Sequence, residues 1–277
     1  MDEDGLLYSP MTPFPLSGRL LLCGLTAALA AGACAGEPLL NVKYDDRHER
    51  NVLDYWPPRK SAQDKGSPVF VWFHGGGFRQ GDKQLRSGRM AVMRKAYQDA
   101  GYAVVSCNYP FLNRKEKIGY LEIVEHCARA VQFVRSKAEE WKIDPARLCC
   151  GGSSAGALIS EALGYHDDYA DAESSDRVAR LSSRPAVVVS HWQPIGTQEF
   201  ALRYMDKGEA PLFLFSDAPK SDRVHAPAEA VKIREKCKEL GIPCEAISLG
   251  RNELTAVKDV QTALRRQLKF CDKHLPE

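Results

Sequence analysis

Two hydrophobic patterns alternate along the chain. Short, largely apolar runs recur at residues 68–73 (PVFVWF), 102–107 (YAVVSC), 185–190 (PAVVVS) and 211–215 (PLFLF), and residues 244–249 (CEAISL) read as the last strand. Runs of this length without polar alternation predict strands buried on both faces of a parallel sheet. Between them lie longer stretches with apolar residues at helical spacing. Residues 85–100 place Met90, Met93 and Tyr97 on one face, and residues 121–141 do the same with Val124, Cys127, Val131, Val134 and Ala138. Residues 227–240 form a further helix, stopped by Gly241 and Pro243, and residues 254–275 a long closing helix with Leu254, Val257, Leu264, Leu268 and Cys271 facing inward.

The remaining stretches fill in the order of elements. Residues 41–55 predict two early strands around an Asp45-Asp46-Arg47 turn. Asp144-Pro145 predicts a turn into a short strand, and residues 155–165 a helix. Residues 166–184 are polar and loop-like. Residues 191–210 lack clear periodicity and are the candidate for a short lid. Strands alternating with helices predict an α/β domain with one mostly parallel, doubly wound sheet.

Composition narrows the function class. The chain has 277 residues, 44% apolar and 27% charged, with a net charge of +2. That suits a globular domain with a full core, and without a long basic stripe it gives no support for a nucleic-acid role. Arg19 precedes an apolar run over 20–31 that is too short to span a bilayer, and Ala33-Cys34-Ala35 offers small residues for cleavage. Residues 1–35 therefore read as a signal peptide, with Met11 as a candidate initiator that leaves Arg19 the only charge before the run. Residues 36–277 read as one mature domain, secreted or periplasmic, with no stable membrane span after cleavage. A lipidated Cys34 is the less favoured alternative, because Ala31 stands where leucine is usual. Of nine cysteines, seven follow the cleavage site, so at least one thiol is free. Cys107, Cys127 and Cys149 read as core residues, and Cys237 and Cys244 are candidates to pair. No C-x-x-C motif or histidine cluster suggests a metal.

Chemistry concentrates in two motifs. Gly152-Ser153-Ser154-Ala155-Gly156 fits G-x-S-x-G, the turn that lifts a serine hydroxyl above a sheet edge. Residues two before and two after Ser154 must be small, because strand and helix pass close together there. The first N–H groups of the following helix then face the space beside the hydroxyl. Directly after the 68–73 run stands His74-Gly75-Gly76-Gly77-Phe78. Its glycines let backbone N–H groups approach a substrate carbonyl. The pair of motifs is far more specific than either alone.

These motifs, with Asn108-Tyr109 and the stretch 128–134 (ARAVQFV), resemble the α/β-hydrolase superfamily, in particular its HGGG-containing esterase/lipase branch with hormone-sensitive-lipase-like and feruloyl- or acetyl-esterase-like enzymes. The resemblance covers about residues 40–277 and is strongest over 68–160. It implies an α/β-hydrolase fold with helices on both faces of the sheet and a short lid, Ser154 as nucleophile, and Ala155 with Gly75 or Gly76 as the oxyanion hole. It implies no metal or organic cofactor. The substrate would be a small-molecule or polysaccharide-linked ester, with acetyl or feruloyl esters of carbohydrates as candidates.

The acid should follow the 211–215 strand, where Asp222 and Asp217 both qualify. Asp222-Arg-Val-His225 resembles the family's D-x-V-H or D-x-V-x pattern and favours Asp222. The family's histidine follows the last strand, but Glu253 stands there, and an ordinary glutamate is a much weaker base than imidazole. His225 is the leading replacement, His191 the second, and Glu253 or no base at all stays open. His274 belongs near the opposite sheet edge, and His74 supports the oxyanion loop. Two readings follow: a secreted serine esterase, or a hydrolase-fold protein that has lost turnover and acts as a binding or interaction module.

Overall fold

The computed structural model describes residues 36–60 and 66–277. The signal-peptide reading of residues 1–35 and the possible lipid site at Cys34 lie outside them. Nine strands form one sheet among these residues: β1 (Leu39–Lys43), β2 (Val52–Trp56), β3 (Ser67–Phe73), β4 (Ala103–Cys107), β5 (Ile143–Ser153), β6 (Val187–His191), β7 (Leu212–Phe215), β8 (Cys244–Ser248) and β9 (Thr255–Ala256). Their order is β1-β2-β4-β3-β5-β6-β7-β8-β9. The pairs β1–β2 and β2–β4 are antiparallel, and all other pairs are parallel. The fold is the α/β-hydrolase fold. Because the strands from β4 to β9 are parallel, the loops leaving β3, β5, β6, β7 and β8 all emerge at one edge.

The apolar runs became strands because both of their faces are covered. In β3, Val69, Val71 and Phe73 pack with α2 (Tyr120–Ser136) and α4 (Ala155–Tyr165), through side chains such as Val124, Val131, Leu158 and Ala162. Phe70 and Trp72 turn the other way, onto Met93 and Tyr97 of α1 (Gly88–Asp99) and Phe270 and Cys271 of α6 (Val260–His274). Leu212 and Leu214 of β7 meet Ala230 and Ile233 of α5 (Pro227–Leu240). Each large aliphatic or phenylalanine side chain among them contributes about 1.5–3 kcal/mol by leaving water.

Several element limits differ from the periodicity. Residues 121–141 make two helices, α2 and the four-residue α3 (Ala138–Trp141). The break is at Lys137, whose N–H bonds to the carbonyl of Val134, and Trp141 leaves the α2 line to stack on Tyr55 at 4.2 Å. Asp144-Pro145 lies inside β5, at a register shift between the Ser67 and Val69 pairings; proline tolerates such a bulge because it has no N–H to place in the ladder. The last helix starts at Val260, capped by Asp259, which accepts from Thr262 N–H at 2.6 Å. Leu254 and Val257 are buried as expected but lie before the helix, around β9. The expected lid contains a π-helical turn, Gln198–Leu202, with Phe200 and Ala201 buried. Cys107, Cys127, Cys149, Cys150, Cys237, Cys244 and Cys271 are free thiols, so Cys237 and Cys244 are not paired. No helix among the described residues is long and apolar enough to cross a membrane.

Candidate active site

Ser154 lies between the end of β5 and the start of α4, with φ 56° and ψ −119°. A non-glycine residue with positive φ is strained, and here the strain turns the hydroxyl out of the sheet edge. The flanking glycines are steric requirements. A Cβ on Gly152 would lie 2.2 Å from the Gly156 backbone, and one on Gly156 would lie 2.0 Å from the Phe73 carbonyl oxygen. Ser154 N–H donates to the His191 carbonyl at 3.0 Å, and the Ser154 carbonyl accepts from Ala157 and Leu158.

The structure brings Ser154, His225 and Asp222 together. His225 Nε2 is 3.0 Å from Ser154 Oγ, and His225 Nδ1 is 3.3 Å from Asp222 Oδ2. Asp222 Oδ1 accepts from the N–H groups of His225 (2.8 Å) and Val224 (2.9 Å). The His225 N–H is the main cause that holds the Asp222 carboxyl below the usual carboxylate range, followed by the Val224 N–H and the imidazole. An ionised carboxylate can only accept, so Nδ1 carries the imidazole proton. Nε2 is then left with a lone pair for the Ser154 hydroxyl. One four-residue turn, Asp222 to His225, thus carries both the carboxylate and the imidazole. The two side chains remain 24% and 22% exposed, so water screens their attraction.

The glycine loop also comes close to the serine. A Cβ on Gly75 would come within 3.3 Å of Ser154 Cβ, and Gly76 has φ 124°. Among the described residues the N–H groups of Gly75 and Gly76 donate to no backbone acceptor. Ala155 opens α4, where the first N–H groups have no intrahelical partner. The loop is braced by residues that sequence reasoning missed or left without a role. Tyr109 stacks on His74 at 4.3 Å and donates its hydroxyl to the His74 carbonyl at 2.6 Å. Arg50 donates to the carbonyls of Tyr109 (2.8 Å) and Gly81 (3.0 Å), with its guanidinium 3.8 Å over Phe111. Nothing local in the sequence marks Arg50, because its three partners lie 24 or more positions away. Burial pushes the His74 imidazole down to about 4, so it is neutral, and its Nδ1–H is bonded to the Gly75 carbonyl at 2.7 Å.

The other candidates lie elsewhere. His191 turns its ring into the core, bonded to Gln267 Oε1 at 2.7 Å and edge-on to Trp72 and Phe215; only its carbonyl meets Ser154. Burial pushes its imidazole down to about 4. His274 lies at the end of α6 against Phe270. Glu253 is exposed on the loop after β8. Asp217 is buried and ties two loops together, accepting from Leu249 N–H at 3.1 Å with Arg251 at 3.4 Å. Among the described residues no group of three or more His, Cys, Asp or Glu side chains is arranged to hold a metal.

Comparison with known proteins places the chain in a family. The BD-FAE family model matches residues 53–202, a segment that holds the glycine loop and the serine turn and ends before the Asp222–His225 loop. Esterase LipI of Mycobacterium tuberculosis is 30% identical over 140 residues, which is 50% of this chain and 38% of that protein. Carboxylesterase NlhH of the same organism is 27% identical over 173 residues, 62% of this chain and 48% of that protein. The aligned segment thus spans less than half the length of these curated relatives. Among solved structures, a truncated form of a carbohydrate esterase from gut microbiota superposes with a TM-score of 0.69 at 17% identity, covering 87% of this chain and 97% of the other. An acetyl ester-xyloside bifunctional hydrolase from Caldicellulosiruptor lactoaceticus gives 0.63 at 20% identity, with coverage of 80% and 88%. At such identities the structural likeness speaks for the fold alone. The family match extends over more than half of the chain and takes in both glycine motifs, and on it the chain belongs to the BD-FAE family, in the esterase/lipase branch of the α/β-hydrolases.

Proposed function

We propose that this protein is a serine esterase that hydrolyses carboxylic esters through an acyl-enzyme. The observation that carries the proposal is the 3.0 Å contact between His225 Nε2 and Ser154 Oγ, with Asp222 behind the imidazole. As Ser154 Oγ attacks the ester carbonyl carbon, its proton passes to Nε2. The developing oxyanion is held by N–H groups of Gly75 or Gly76 and Ala155. Asp222 balances the imidazolium, which then protonates the leaving alcohol. Water repeats the sequence on the acyl-serine and releases the acid. No step calls for a metal or organic cofactor.

For the substrate we favour acetyl or feruloyl esters of carbohydrates. Two structural neighbours, a carbohydrate esterase and an acetyl ester-xyloside bifunctional hydrolase, support the carbohydrate and acetyl parts of that choice. We also propose export, to the periplasm or outside the cell, from the pattern of residues 1–35. The competing reading, a binding module without turnover, draws on Glu253 at the family's histidine position. The imidazole in reach of Ser154 favours the enzyme. Hydrolysis of p-nitrophenyl acetate by the wild-type protein and by Ser154→Ala tests the proposal. The expected result is turnover in the wild type and a loss of roughly 10⁴- to 10⁶-fold in kcat in the variant. Equal rates in the two folded proteins would refute it.

A further inference from the structure

We infer that Trp192 is a positioning residue for the His225 imidazole, an inference that rests on the Ser154–His225–Asp222 reading above. The turn that carries Asp222 and His225 is closed by its own hydrogen bonds, from Val224 and His225 N–H to Asp222. Those bonds fix the shape of the turn. They do not fix where the turn stands relative to β5 and Ser154. Arg223 and Val224 are exposed, and the two functional side chains are partly so, so burial supplies little of that support.

External contacts come from the segment after β6. Ile195 N–H donates to the Val224 carbonyl at 2.7 Å. The Trp192 ring meets the His225 imidazole edge to face, with centroids 5.8 Å apart and planes at 87°. Trp192 N–H donates to the Phe215 carbonyl at 2.8 Å, at the end of the strand from which the turn departs. One residue therefore holds the beginning of that loop by its backbone and the end of it by its ring. Its neighbour His191 holds Ser154 N–H by its carbonyl at 3.0 Å. The dipeptide His191-Trp192 thus sets nucleophile and imidazole in register.

The backbone at Trp192 argues that the ring is used. Its φ is 54°, in the left-handed region where bulky residues are rare and glycine is at ease. Such strain persists only where the surroundings over-determine it, and it gathers at sites where geometry matters. A glycine would follow the same chain path without strain but would leave the exposed imidazole face free to swing. A shift of about 1 Å between reacting groups is enough to cost about 10²-fold in rate.

The test compares Trp192→Gly, Trp192→Leu and Trp192→Phe in the full chain, with p-nitrophenyl acetate turnover and the His225 ring resonances as readouts. Those resonances are identified by their loss in His225→Gln. Phenylalanine keeps an aromatic edge, leucine keeps only apolar bulk, and glycine keeps neither. The expected result is a fall in kcat of about 10- to 100-fold in the glycine and leucine variants with little change in KM, and recovery in the phenylalanine variant. The His225 resonances should shift in the first two and stay near wild type in the third. A part in folding alone would move the melting temperature and leave kcat and those resonances unchanged in the folded fraction, and that outcome would overturn the inference. So would equal losses in the leucine and phenylalanine variants, a comparison that stands if the glycine variant does not fold. A wild-type protein with no esterase activity would defeat the proposed function, while the resonances would still decide the role of Trp192.

Discussion

Ser154 carries its hydroxyl on a strained backbone, and the residues around it are chosen by distance. Gly156 has the Phe73 carbonyl where a Cβ would go, at 2.0 Å, whereas a Cβ on Gly77 would meet nothing within 4 Å. Gly156→Ala should therefore lose about 4 kcal/mol or more, or fail to fold, because backbone must move to admit the methyl. Gly77→Ala, at φ 60°, should lose only about 1 kcal/mol from its left-handed conformation. Denaturant titration checks both, and equal losses would mean that strand and helix do not pass as closely as described. This part of the site was legible in the chain, since small residues two before and two after a serine are what that crossing demands. The Asp222–His225 turn was legible as a pattern, and its contact with Ser154 was not. Trp192 was invisible as a functional residue. Its meaning comes from a left-handed φ and a neighbour 33 positions away, neither of which leaves a local signature.

At the scale of elements, the apolar runs found β3, β4, β6 and β7, because strands covered on both faces need no alternation to be recognised, whereas β5 was marked by the serine motif at its end. Periodicity placed the helices but not their ends. It extended the closing helix through Leu254 and Val257, which are buried for reasons of tertiary packing, and it did not see the break at Lys137. The helix after Ser154 hides a further feature. Glu161 of α4 is fully buried, accepting from Gln193 Nε2 at 3.0 Å, and burial pushes its carboxyl up to about 8 despite that bond. The folded protein then holds a proton that the unfolded chain, with an ordinary value of about 4.3, has released. The associated stability is present at low pH and declines as pH rises from about 4.3 to about 8. Histidines such as His191 and His74, pushed down to about 4, act in the other direction and lose stability as pH falls below about 6.5. The difference between Glu161→Gln and wild type isolates the carboxyl. The melting temperature of the variant should gain on wild type between pH 5 and 8, and parallel profiles across that range would contradict the buried proton.

At the scale of the whole molecule, one parallel sheet delivers four loops to the same edge: the glycine loop after β3, the serine turn after β5, the His191-Trp192 brace after β6 and the Asp222–His225 turn after β7. The loop after β8, where the family resemblance expects a histidine, instead carries exposed Glu253 and is tied back by Asp217 and by Asn252, which donates to the carbonyls of Ser216 and Ala218. The central claim is that the proton acceptor lies on the loop after β7 and has not been lost with the one after β8. Steady-state hydrolysis of p-nitrophenyl acetate by His225→Gln and Glu253→Gln, side by side with wild type, tests it most directly. His225→Gln should lose roughly 10⁴- to 10⁶-fold in kcat, and Glu253→Gln should keep a rate within about threefold of wild type, as for an exposed surface change. A His225→Gln enzyme that keeps its rate, or a Glu253→Gln enzyme that loses it, would contradict the claim.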